Sequence, residues 1–207
     1  GVPLAATSAL AFLVSGSDRF MLAWYLDTGA AGQYVVGYDL AQFTLGLLLN
    51  IVNLAAYPLI VSAFEKNGEE AARRMLRWTL QLLLMVGLPA TVGLAVLAPN
   101  ISAVLVGAEF ESAARMIIPG IAAAALIARL KAFYLELAFQ LRGNTIVQVW
   151  VLLATALLNI GLNVLFIPVW GIIGAVYATV IAHTVAILLS WALGRSALRL
   201  HLPGKGS

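Results

Sequence analysis

The stretch FLVSGSDRFMLAWYL, residues 12–26, is apolar on both flanks and carries an aspartate and an arginine, Asp18 and Arg19, side by side near its middle. Its reading turns on the solvent. In water the segment would be an amphipathic helix with a polar spot. In a bilayer it would be a spanning helix holding two ionisable groups at depth. Composition decides between these. Of the 207 residues, 62% are hydrophobic and only 10% charged, with a mean hydropathy of +0.99. A soluble domain is about half apolar and about a quarter charged. One core of this length cannot hide so much apolar surface, so the solvent is lipid. The net charge of +3 and the pI near 9.5 therefore matter less than where the basic residues fall. No cysteine is present, which excludes a disulfide framework and a thiolate metal site.

A helix needs about 20 apolar residues to cross the hydrocarbon. Six segments qualify, near residues 4–26, 35–63, 76–98, 116–137, 146–166 and 172–193. The expectation is an all-α polytopic bundle, with a six-span unit over residues 1–194 and a basic tail over 195–207. The first segment is too long for a signal peptide and has no basic leader. The chain begins with Gly1 rather than Met, and it reads as a piece of something longer.

Alternating the loops between the two faces separates the cations. Lys66, Arg73, Arg74, Arg77, Arg142, Arg195, Arg199 and Lys205 fall on one side, while only Arg115, beside Asp27, Glu109 and Glu111, falls on the other. Positive loops stay in the cytoplasm, so both ends of this chain are expected there. The loop over residues 64–78 reads as a short surface helix with Glu69/Arg73 and Glu70/Arg74 at the favourable (i, i+4) spacing. A solvated topogenic segment explains it, and its arginines would face anionic lipid headgroups. Docking of an acidic partner or a lipid pyrophosphate is the alternative.

Pro89, with Gly87 and Gly93 near it, marks a kink in the third segment and a candidate hinge. Gly161, Gly171, Gly174, Ala175 and Ala178 are spaced for close helix contact. GAAG (residues 29–32) and GIIG (171–174) each open a helix after a hairpin.

Ionisable groups at membrane depth cost roughly 2.5–3.5 kcal/mol each on insertion scales and tend to face a bundle interior or a wet cavity. Asp18, Arg19, Arg129, Lys131 and Glu136 are the deep ones, and Asp39 lies about a turn inside. Asp18 and Arg19, adjacent on a helix, cannot share one narrow face, so each needs its own partner. Arg129 and Glu136 stand seven residues apart on one face, so a structural ion pair is the alternative to a cavity lined by these charges. Asn159 and Asn163 share a face at (i, i+4) and serve either as interhelical hydrogen-bond glue or as cavity lining. His183 falls mid-span, where packing competes with proton carriage. Cations in excess over the deep carboxylates suit an anionic substrate.

Signatures of catalysis are missing from the sequence. Tyr38–Asp39 is not followed by the GxGD of intramembrane aspartyl proteases, and Ser15–Gly16 lacks the glycine of a rhomboid-like GxSG. No HxxxxD, DxD or P-loop is present. The chain reads as a non-enzyme without cofactor or metal.

Deep Asp18–Arg19 followed by GAAGQY, AAYPLI at the end of the second segment, LAPNISAVLVGAEFESA after the third, and above all NIGLNVLFIPVWGIIGAVYAT resemble the polysaccharide flippases. These are the O-antigen and exopolysaccharide flippases of the multidrug/oligosaccharidyl-lipid/polysaccharide exporter superfamily. Members have twelve or more spans in two six-helix lobes, and this chain resembles the C-terminal lobe. The resemblance implies a multi-pass protein of the bacterial inner membrane. It would translocate polyprenyl-pyrophosphate-linked oligosaccharide to the periplasmic leaflet by alternating access, in cell-surface polysaccharide biosynthesis. It implies a missing N-terminal lobe or a second copy as partner. Arg19, Arg129 and Lys131 would hold the substrate, and Asp18 or Asp39 would take a coupling H⁺ or Na⁺. A drug/cation antiporter or a lipid II flippase of the same superfamily, or a non-transporting scaffold of the polysaccharide assembly machinery, are the alternatives.

Overall fold

The computed structural model describes residues 16–141, 143 and 145–198. Residues 4–15 of the first expected span, Arg142, and the tail cations Arg199 and Lys205 lie outside the described residues. No strand occurs among the described residues. The chain is an all-α polytopic bundle.

Helix α1 occupies residues 16–25. Asp27 ends the turn and caps α2 (Thr28–Leu105), its Oδ1 accepting from the Ala30 amide at 2.7 Å. That bond satisfies one of the orphan donors at the helix start. The 78 residues of α2 are not one rod. Gly68, at φ 75° and ψ −171°, interrupts the helical backbone. Only glycine adopts such angles without steric cost. The two arms fold against each other there: Leu49 packs with Leu83 on one level, and Ala56 and Ile60 with Leu76 nearer the bend. The segment expected as a separate surface helix over 64–78 is thus helical on both sides of a single-residue break. Glu69–Arg73 (3.0 Å) and Glu70–Arg74 (3.9 Å) pair as their spacing requires.

After two residues comes α3 (Ala108–Leu130), with Glu109 and Glu111 in its first turn, where the helix dipole favours negative charge. It continues through a π-helical turn, Lys131–Glu136, into α4 (Leu137–Leu141). Helix α5 (Ile146–Trp170) and α6 (Ile172–Leu198) form a hairpin on Gly171, at φ 58°. A Cβ on Gly174 would stand 2.3 Å from the Phe166 carbonyl oxygen, so the hairpin closes only because that position is bare. By contrast Gly161 has nothing within 4 Å of its would-be Cβ; it is no helix-contact position among the described residues. The backbone stays helical through Pro89, and its neighbour Gly87 is a packing site, where a Cβ would meet Leu126 at 2.5 Å.

The turns gather at two ends. Gln33 reaches the Glu109 carbonyl at 3.1 Å, Phe110 lies against Gly32, and Leu26 lies near Gly171. The connections after α1, after α2 and after α5 therefore share one end, and the Gly68 bend and the α4–α5 turn share the other. Core packing is built on small residues of α3, with Ala113, Ala114, Ala122 and Ala125 buried together with Ile117 and Ile121. Close approach of this kind is how helices associate where no water drives them together. The outer surface carries large apolar side chains, among them Phe20, Trp24, Leu54, Met85 and Val104. By length and composition α2, α3 with its continuation to Leu141, α5 and residues 172–194 of α6 can each cross a membrane.

Candidate functional site

Hairpin geometry sets four helices to one depth. Asp18 stands eight residues before the end of the α1 turn at Leu26, Tyr34 seven after Asp27, and Asn163 and Thr179 eight on either side of Gly171. At 1.5 Å per residue, all four lie about 12 Å from the same end. They meet. Asp18 is 1% exposed. Its Oδ1 accepts from Asn163 Nδ2 at 2.5 Å, and its Oδ2 accepts from Tyr34 OH at 2.8 Å and faces Thr179 Oγ1 at 2.9 Å. Asn163 Nδ2 also reaches Asn159 Oδ1 at 3.2 Å, which accepts from Ser17 as well.

Counting protons exposes a shortage. Thr179 Oγ1 stands 2.9 Å from Asp18 and 2.9 Å from the Ala175 carbonyl. A hydroxyl has one proton. If the helix carbonyl takes it, two acceptors face each other at Asp18. The Asn163 Oδ1 is buried and unpartnered. No cation reaches Asp18 in an ion pair among the described residues. A buried carboxylate without a counter-charge is either protonated or bound to a cation. The surrounding donors are all oxygen: the Asp18 carboxylate, two Asn amides, the Thr179 hydroxyl and the Ala175 carbonyl. With a single formal charge, that set fits H⁺ or a hard monovalent cation, and it does not suit a transition metal. Among the described residues no cluster of three or more His, Cys, Asp or Glu exists.

The deep cations are placed differently. Arg19 turns from Asp18 to Asp39, Nη2 to Oδ1 at 2.6 Å, with its guanidinium 5.6 Å from the Tyr38 ring centre. Both side chains keep about a third of their exposure, 37% and 36%, so the pair is wet. Lys131 donates to Glu136 and is 7% exposed. The alternative Arg129–Glu136 pair is not formed among the described residues. The π-helical turn widens the spiral to i→i+5 bonds, which brings positions 131 and 136 together and turns 129 away. Arg129 has no ion-pair partner among the described residues. Its guanidinium lies 6.0 Å from the Phe133 ring centre and against Gly46, where a Cβ would stand 3.1 Å from Nη2. Of three cations expected to be free, two are spent on acids.

His183 is largely enclosed, its Nδ1 buried without a partner, apart from the Asp18 shell. Pro89 is exposed on α2 and belongs neither to the Asp18 shell nor to the deep cations. Sequence reasoning singled out Asp18, Asn159 and Asn163, and the structure joins them. It assigned no role to Tyr34, Thr179 or Ser17. The equal spacing of Asn163 and Thr179 about Gly171 was the available signal.

The chain matches, over residues 3–205, the family model described as lipid II flippase MurJ. No curated protein matches the chain significantly. Two solved structures share its fold. One is described as a transporter of the MOP superfamily from Pyrococcus furiosus whose binding pocket has reversed polarity, with TM-score 0.70. The other is described as a multidrug resistance MATE family transporter of the same superfamily in an outward-facing conformation, with TM-score 0.69. Each is 19% identical to this chain, covering 93% of it but only 43% of the transporter. The chain thus spans under half the length of these transporters. The superfamily expected from the sequence is the right one, and within it the matched family is the lipid II branch, one of the alternatives, rather than the polysaccharide branch. By its match over nearly its whole length, this chain belongs to the MurJ lipid II flippase family.

Proposed function

We propose that the chain is one lobe of a flippase that moves a polyprenyl-pyrophosphate-linked saccharide from the cytoplasmic to the periplasmic leaflet. Family membership puts lipid II first among such substrates, ahead of the oligosaccharide units of surface polysaccharides. The lobe has six crossings in this reading, with α2 supplying two of them on either side of Gly68 and both ends facing the cytoplasm. The second lobe comes from a preceding half of the protein or from another copy. The membrane is a bacterial inner membrane.

One observation carries the mechanism: Asp18 of α1, buried and without a counter-charge among the described residues, is held by groups from α2, α5 and α6 at once. Binding H⁺ or Na⁺ there supplies the missing positive charge and draws four helices together. Releasing it leaves acceptors opposed and loosens them. An ion can bias a conformational equilibrium only by binding its states differently, and a site spread over four helices is built to do so. Arg129 is the first candidate for the substrate pyrophosphate, because no acid of the described residues neutralises it. Arg19 is the second, through exchange of Asp39 for a phosphate. Asp39 then serves as the ion that holds Arg19 between turnovers.

The experiment is transport of the lipid-linked substrate by the full-length protein in proteoliposomes, with Na⁺ and pH gradients imposed separately. Asp18→Asn keeps most hydrogen bonds and removes the charge. It is expected to fold, to bind substrate, and to lose the dependence of transport on the driving ion. Arg129→Ala is expected to weaken substrate binding with ion dependence intact. Gradient-driven transport by Asp18→Asn equal to that of the unaltered protein would refute the coupling role.

A further inference from the structure

At the end opposite the Asp18 shell, a cleft of about 360 Å³ opens between the second arm of α2, the π-helical turn and the end of α6. Arg73, Arg77, Leu76, Tyr134 and Trp191 line it. We infer that this cleft binds the phosphate headgroup of an anionic membrane lipid.

The level of the cleft is the first argument. Tyr57 and Trp78 stand eleven residues before and ten after Gly68, hence at one depth, about 15 Å from the bend. Both are exposed, and Trp191 shares the cleft with Arg77, next to Trp78 in the chain. Exposed tryptophan and tyrosine at a common depth mark the membrane–water interface. The cleft therefore opens where headgroups lie. Its size is at the small end of bound-molecule sites, roughly 300–1,000 Å³.

Charge is the second argument. Arg73 gives Nη2 to Glu69 at 3.0 Å, but its Nε is buried and unpartnered. Arg77 makes no ion pair among the described residues. The carboxylate beside Arg73 offsets one of the two guanidinium charges and leaves the cleft with the net charge of Arg77. Arginine forks match phosphate oxygens.

The walls choose the source of the phosphate. Past Arg77 towards the bundle middle, the surface is apolar and exposed at Leu82, Leu188 and Leu189. A soluble phosphate would leave that surface unused, whereas the acyl chains of a lipid would cover it. The proposal is independent of which substrate is flipped and of Asp18.

The test uses the full-length protein in nanodiscs, with Trp191 as the sole tryptophan and Phe at the others. Acyl chains brominated on phosphatidylglycerol or on phosphatidylcholine serve as quenchers. Trp191 is expected to be quenched preferentially by the anionic lipid. Arg77→Gln and Arg73→Gln are each expected to cut that preference about fivefold. Equal quenching by the two lipids, or a preference that survives both substitutions, would overturn the proposal. So would loss of the preference on adding inorganic phosphate at constant ionic strength, which would assign the cleft to a soluble anion. Should the single-tryptophan protein not fold, native mass spectrometry of otherwise unaltered protein and its Arg77→Gln variant reads the same quantity as retained phosphatidylglycerol. Equal retention by both would refute it.

Discussion

Asp18 and Glu136 are both carboxylates set deep in apolar helices, and their neighbours treat them differently. Glu136 finds Lys131 five residues back on its own helix, in a π-helical turn that brings the two together. Its charge is neutralised locally, and the pair asks nothing of the other helices. Asp18 has no cationic partner among the described residues and draws its donors from three other helices. An acid satisfied within one helix stabilises that helix. An acid satisfied by the whole bundle makes the bundle's geometry depend on whatever supplies the remaining positive charge. The difference is one of range, and it is the ground on which Asp18 rather than Glu136 is proposed as the coupling site.

The largest expected effect comes from removing the long-range acid. Asp18→Ala leaves the Tyr34 hydroxyl and the Asn163 amide without their acceptor in a buried site. At roughly 1–3 kcal/mol for each unsatisfied group, the loss should be about 2–6 kcal/mol, read as a fall in thermal stability of the purified full-length protein. Asp18→Asn should lose much less, since its amide oxygen still accepts. Equal losses in the two variants would mean that packing, not hydrogen bonding, is what Asp18 provides.

Much of this contrast was legible in the chain. Asp18 at depth, and Asn159 with Asn163 on one face, follow from hydropathy and the helical repeat alone. The bundle class follows from composition. What hid was of two kinds. Tyr34 and Thr179 are ordinary members of apolar helices until the hairpins bring them to the level of Asp18, and that register depends on turns of one or two residues. The π-helical turn hid for another reason. KAFYLE contains neither proline nor glycine, and under a regular helical repeat Arg129, not Lys131, faces Glu136. A one-residue change in the spiral reassigned the partner. The short surface helix expected over 64–78 is likewise helical but continuous with both flanking spans, broken only at Gly68, because the surrounding residues keep good helical propensity.

The short-range pair should give a smaller effect with a distinctive form. Lys131→Met alone strands Glu136, and Glu136→Gln alone strands Lys131, each costing about 1–3 kcal/mol. The double variant should recover most of that loss, because a buried pair replaced as a pair is often close to neutral. Transport by the double variant should retain its ion dependence. A double variant as unstable as the sum of the singles would show that each group has a further partner, and it would move the pair towards the Asp18 kind.

The smallest stability effect is expected at Arg19–Asp39, which lies between the two extremes: its partners sit on adjacent helices, twenty residues apart, yet about a third of each side chain is exposed. Solvent screens such a pair, and breaking it should cost under about 1 kcal/mol. Asp39→Asn and Arg19→Met should therefore be alike in thermal stability. They should differ in function if Arg19 is used by substrate. Asp39→Asn frees the guanidinium and should tighten binding of the lipid-linked pyrophosphate, while Arg19→Met should weaken it. Identical binding by the two variants would leave the pair as a clamp between α1 and α2, and Arg129 would then be the deep cation left to meet the substrate.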